Sequence, residues 1–115
     1  MPNERELQRN DTRMLVLAVL SSGPRHGYAI ARDIENRSAN ALSMGEGALY
    51  PALRALENEK LVTSAWELQP VGAARKVYTL TDTGRKELEL RTEAWLEYTR
   101  AMNNMIGGKL NEQPA

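Results

Sequence analysis

Gly45-Glu46-Gly47-Ala48-Leu49-Tyr50-Pro51-Ala52-Leu53-Arg54-Ala55-Leu56-Glu57-Asn58-Glu59-Lys60 is the stretch on which the fold turns. Leu49, Leu53 and Leu56 stand at i, i+4 and i+7, the spacing that gathers three side chains on one helical face. That face must meet a core. Tyr50, Arg54, Glu57 and Asn58 fall off the stripe, so the segment predicts a helix over 46–60 with a second, outward face. Pro51 lacks a backbone N–H and is tolerated only near a helix start. The helix therefore begins close to Gly45–Gly47.

Beyond this helix the period changes to two. Val62, Ser64, Trp66 and Leu68 alternate with Thr63, Ala65 and Glu67, and Arg75–Leu80 follows after the loop Gln69-Pro70-Val71-Gly72-Ala73-Ala74. Two such runs around a Pro/Gly loop predict a hairpin. Thr81-Asp82 then caps a last helix that runs to about Ile106 and stops at Gly107-Gly108. Along it Leu88, Trp95 and Met102 recur every seven residues, and Tyr98 and Met105 form a second series offset by three. This is a heptad-like seam, broken where Arg91 takes the place of an apolar residue.

On the N-terminal side, Gly27–Ser38 predicts a helix. Ile30 and Ile34 mark its apolar side, to which Tyr28 and Ala31 are expected to add. Met14–Leu20 is apolar on every side. Asn10, Asp11 and Thr12 before it are capping types and Ser21-Ser22-Gly23-Pro24 after it is a stop, so a central helix over about 9–21 is expected. Three helices, a hairpin and a further helix are the order of a winged helix-turn-helix. The fold class is thus mainly α with a small β-hairpin, plus a long C-terminal dimerisation helix. Residues 1–80 form the expected DNA-binding domain, 81–108 the dimerisation helix and 109–115 a disordered tail.

Composition narrows the function. The 115 residues suit one compact domain. Fifteen Lys and Arg balance fifteen Asp and Glu, which argues against binding polyanions by bulk charge and leaves a local basic patch open. No cysteine and a single histidine, His26, exclude disulfides, thiol catalysis and a multi-histidine metal centre. No catalytic spacing of carboxylates and no nucleophile beside a base are found, and Gly45-Glu46-Gly47 is too short for a phosphate loop. A non-enzyme without cofactors is expected. Nothing resembles a signal peptide, and Met14–Leu20 falls short of the roughly 20 residues of a membrane span, so a cytoplasmic protein with no membrane partner is expected.

In the winged architecture the third helix enters the DNA major groove, and the wing lies along the backbone or minor groove. Tyr50 and Arg54 would then face bases or phosphates. The ring of Tyr50 can instead pack on the neighbouring helix, and Arg54 can be merely solvated. Ser43 and Glu46 stand at the helix entrance, where both suit capping. Ser43 also suits a phosphate, and Glu46 a cytosine amino group. Ala48 is counted with them. Arg75 and Lys76 suit wing phosphate contacts, although Lys76 can lie over Tyr78 or Trp66. Tyr28 can reach a backbone phosphate, whereas His26 reads as a core or cap residue. Arg5, Arg9 and Arg13 share one face of the first helix, either solvated or on phosphates.

A last helix that projects past the core would expose Trp95, Tyr98, Met102 and Met105. With Leu88 these are the candidate dimerisation residues, since such a patch marks an interface. A twofold pair would present two reading heads to a pseudo-palindromic operator.

His26-Gly27-Tyr28, Gly47-Ala48-Leu49-Tyr50-Pro51-Ala52-Leu53, Leu56-Glu57 and Lys76-Val77-Tyr78-Thr79-Leu80-Thr81-Asp82-Thr83-Gly84 resemble, in order and spacing, the PadR family of bacterial transcriptional regulators. The resemblance covers residues 10 to about 105. It implies a dimeric winged-helix repressor, often released from DNA by a small ligand, of the short subgroup with a single dimerisation helix. It also implies that Tyr50 is the tyrosine that begins the recognition helix. Trp95 resembles the tryptophan that lines a dimer-interface pocket, where a planar aromatic effector would stack; otherwise Trp95 only fills the seam. The wing departs from the family: Val71-Gly72-Ala73-Ala74 stands where a glycine pair and a proline precede the basic residues, which reduces backbone freedom at the tip. A winged-helix protein–protein module without DNA binding is the alternative reading.

Overall fold

The computed structural model describes residues 9–107. Its elements are α1 (Arg9–Leu20), β1 (Arg25–His26), α2 (Gly27–Arg37), α3 (Glu46–Asn58), β2 (Val62–Glu67), β3 (Arg75–Leu80) and α4 (Asp82–Ile106). The chain is a winged helix-turn-helix with a long C-terminal helix, mainly α with one small antiparallel sheet of order β1-β3-β2. The expected helices and hairpin are present, with helix ends one or two residues shorter than read from sequence.

α1 is central because its middle is apolar on all sides. Val16, Leu17, Val19 and Leu20 are buried, and α2, α3, α4 and β3 pack around them. Leu49, Leu53 and Leu56 close the core from α3, Ile30 and Ile34 from α2, and Val62, Tyr78 and Leu80 from the sheet. Asn10, Asp11 and Thr12 do not cap α1, because the helix is already under way at Arg9. Arg13 is neither a solvated nor a phosphate-facing residue, since its guanidinium bonds Glu59 at 2.8 Å and ties α1 to the end of α3. Arg5 and the tail 109–115 lie outside the described residues, as does the side chain of Arg9.

α2 and α3 both end in Schellman-type caps. After α3 the N–H of Leu61 donates to Leu56 O at 2.9 Å and that of Lys60 to Glu57 O at 3.0 Å, with Lys60 left-handed at φ 63°. Pro51 lies deeper than expected, sixth in α3, where it denies the Gly47 carbonyl its helical donor. Gly47 is exposed, so water can serve that carbonyl instead.

The sheet is anchored in register. Arg25 pairs with Tyr78 and His26 with Val77, while Val62 pairs with Leu80 and Glu67 with Arg75. At the start of α4 the Thr81 hydroxyl accepts from Gly84 N at 2.9 Å and lies 2.8 Å from Lys60 O. This pulls the α4 start onto the end of α3, and a side chain at Gly84 would collide with the Leu61 carbonyl. α4 has 25 residues, about 37 Å at 1.5 Å per residue. The molecule measures 55 × 33 × 26 Å, so the distal part of α4 runs clear of the domain.

Candidate nucleic-acid interface

Burying Leu49, Leu53 and Leu56 leaves Glu46, Ala48, Tyr50, Arg54 and Asn58 exposed on the outer side of α3. The elements beside this face converge on it. α2 begins at Gly27, and the Tyr50 ring lies against that glycine so closely that a Cβ there would stand 2.8 Å from the phenol oxygen. Tyr50 therefore does both things the sequence allowed: its ring packs on the start of α2 while its edge stays exposed.

Tyr28 follows Gly27 and is 69% exposed. It does not add to the apolar side of α2 as expected, because it stands some 200° around the helix from Ile30. Its hydroxyl accepts from Arg32 at 3.0 Å, and the guanidinium stands 5.8 Å from the ring centroid. That hydrogen bond holds the Arg32 guanidinium above its ordinary value. Sequence alone does not single out Arg32. The available signal is its i+4 spacing from Tyr28.

The wing supplies the opposite wall. Lys76 places its ammonium 5.8 Å from the Trp66 ring centroid and 5.9 Å from that of Tyr78, a cation–π arrangement that keeps the charge at the surface. Arg75 is exposed at the start of β3. His26 is not a core residue but holds the N-cap position of α2, as the cap reading expected, although its side chain makes no capping hydrogen bond. It pairs in β1, is half-buried, and its Nε2 lies 3.2 Å from Glu67 Oε1 on the wing. Together His26, Gly27, Tyr28, Tyr50, Trp66, Arg75 and Lys76 line an open groove of about 500 Å³.

Four of the candidate DNA-binding residues, Tyr28, Tyr50, Arg75 and Lys76, thus meet in one groove. Glu46, Ala48 and Arg54 share the exposed face of α3 without lining it. Ser43 is exposed in the loop before α3 and is not the cap; Gly45 holds that position. The groove combines cations, phenols and an indole on a concave surface, a composition suited to a sugar–phosphate strand. Among the described residues no group of three His, Cys, Asp or Glu is placed to hold a metal ion, and no helix is long and apolar enough to cross a membrane.

On α4, Trp95, Tyr98, Met102 and Met105 are exposed, whereas Leu88 packs against the domain core. The Trp95 and Tyr98 rings lie 5.9 Å apart. A shallow cavity of about 320 Å³ is lined there by Asp11, Met14, Arg91, Ala94, Trp95 and Tyr98.

The chain matches the transcriptional regulator PadR-like family over residues 16–90. It is 32% identical over 73 residues to the negative transcriptional regulator PadR of Bacillus subtilis, covering 64% of this chain and 40% of that protein. It is 45% identical over 83 residues to an uncharacterized transposon protein of Streptomyces fradiae, covering 72% of this chain and only 22% of that protein's length. Among solved structures it resembles a PadR family transcription regulator from Clostridium difficile, with a TM-score of 0.75 and 30% identity over 84% of this chain and 98% of the other.

Proposed function

This chain belongs to the PadR-like family of transcriptional regulators, and we propose that it is a sequence-specific DNA-binding repressor that acts as a homodimer. The observation that carries the reading is the groove between the α2 start, Tyr50 and the wing. It supports a phosphate strand held by Tyr28, Arg75 and Lys76 while Tyr50, Arg54, Glu46 and Ala48 approach the major groove from α3. Ser43 stands before the helix entrance, within reach of the flanking backbone. Residues 1–80 are the DNA-binding unit and 81–108 the dimerisation helix, as in the short subgroup with a single C-terminal helix.

Pairing of α4 with its copy covers Trp95, Tyr98, Met102 and Met105, while Leu88 braces the helix against the core. A planar aromatic effector at Trp95 changes the angle between the two heads and lowers DNA affinity, a linkage between two sites. The chain does this work without catalysis or cofactor, inside the cell.

The test is titration of the full chain against duplex DNA from upstream of its own coding sequence, at several salt concentrations. Affinity that falls steeply with salt is expected. A folded chain that ignores duplex DNA at low salt would instead be a protein–protein module.

A further inference from the structure

The tip of the wing carries no charge. Between β2 and β3 run Leu68-Gln69-Pro70-Val71-Gly72-Ala73-Ala74. Leu68 is 87% and Val71 90% exposed. The one polar side chain of the loop, Gln69, turns back and donates to Glu67 Oε1 at 3.3 Å. Gly72 bends the loop at φ 95°, a conformation that suits glycine. Arg75 and Lys76 sit at the base of this finger beside the groove, with Glu67 opposite Arg75 in register and held by His26 and Gln69. An exposed apolar tip costs free energy in water unless something covers it.

The winged architecture lays the finger along the DNA minor groove next to the site of α3, and we propose that its tip selects A·T pairs there through Leu68 and Val71. The inference rests on the DNA-binding reading above. A duplex offers two phosphate ridges bounding a groove about 6 Å wide. Arg75 and Lys76 match the ridges, and the apolar tip matches the sugar walls between them. Both kinds of base pair carry acceptors on the groove floor, so these do not discriminate. Only G·C adds the guanine amino group, a donor that projects into the groove. Leu68 and Val71 offer it no acceptor, so a G·C pair under the tip strands a donor away from water. The tip reads by exclusion, a role for which a charged or hydrogen-bonding wing would be less suited.

The probe is a duplex isolated from a randomised pool by the full chain. Its A·T pairs outside the major-groove contacts are replaced by G·C, or by inosine·C, which shows the major groove of G·C without the amino group. The G·C duplex should bind about tenfold more weakly, and the inosine·C duplex like the A·T one. Leu68→Ser with Val71→Ser, both at exposed positions, should erase that difference and leave the salt slope unchanged. Equal affinity for all three duplexes with salt-dependent binding intact would overturn the role of the tip alone, as would unchanged discrimination in the variant. Failure of the wild-type chain to bind any duplex would overturn the DNA-binding reading and this inference with it.

Discussion

At Gly84 there is no room for even a methyl group. A Cβ would run into the Leu61 carbonyl and stand 2.7 Å from Leu80 Cδ1, and a backbone carbonyl cannot swing aside as a side-chain end can. Gly84→Ala should destabilise the chain by about 2–3 kcal/mol, read as a lower thermal midpoint; an unchanged midpoint would show that α4 is not seated as described. Tyr78 supplies a second test. It is 6% exposed, and burial pushes its phenol above the ordinary 10.0, with Glu57 and Tyr50 adding in the same direction and Arg54 opposing. A raised value means that the fold favours the neutral phenol. That contribution is complete below about pH 10 and is lost as pH rises through the folded value. In an ultraviolet titration of the folded chain Tyr78 should ionise in a phase above the ordinary phenol range, and Tyr78→Phe should remove that phase. Persistence of the phase in the variant would contradict the assignment.

The elements differ in how plainly the sequence announces them. Leu49, Leu53 and Leu56 reveal α3 and its free face because three large apolar residues at helical spacing have one common solution. Thr81 and Gly84 mark the α4 start for a local reason, a hydroxyl accepting from the N–H three residues on. β1 has no such local cause. Two residues carry no period, and Arg25–His26 becomes a strand only because Tyr78 and Val77 arrive from far along the chain to pair with it. The groove is half legible. Arg75 and Lys76 suggest a basic wing on charge alone, but the seat of Tyr50 on Gly27 and the partnership of Tyr28 with Arg32 need the helices in place. The wing yields a prediction of its own. Arg75→Ala with Lys76→Ala should weaken binding to all sequences alike and flatten the slope of log K against log salt by about 0.9 for each phosphate no longer neutralised. Binding measured by fluorescence anisotropy with an unaltered slope would remove the wing from the phosphate backbone.

For the whole molecule, zero net charge makes placement decisive. The chain has no bulk attraction for DNA to spare, so the proposed function draws its affinity from the local cations of the groove and from doubling the site. In that proposal α4 is the means of doubling. Trp95, 46% exposed, and Tyr98 stand beside α1, and beyond them Met102 and Met105 are exposed where the helix runs clear of the domain, more apolar surface than a lone molecule gains by showing. Trp95→Ala should therefore weaken self-association in analytical ultracentrifugation and abolish quenching by planar aromatic dyes. An unaltered dimer that still quenches would remove Trp95 from both roles.

The most direct test of the account is hydroxyl-radical footprinting of the full chain on a duplex that it binds. Two copies joined through α4, each with α3 in a major groove, should protect two half-sites on one face of the DNA, about 34 Å apart. A single protected half-site, or none in the presence of folded protein, would contradict it.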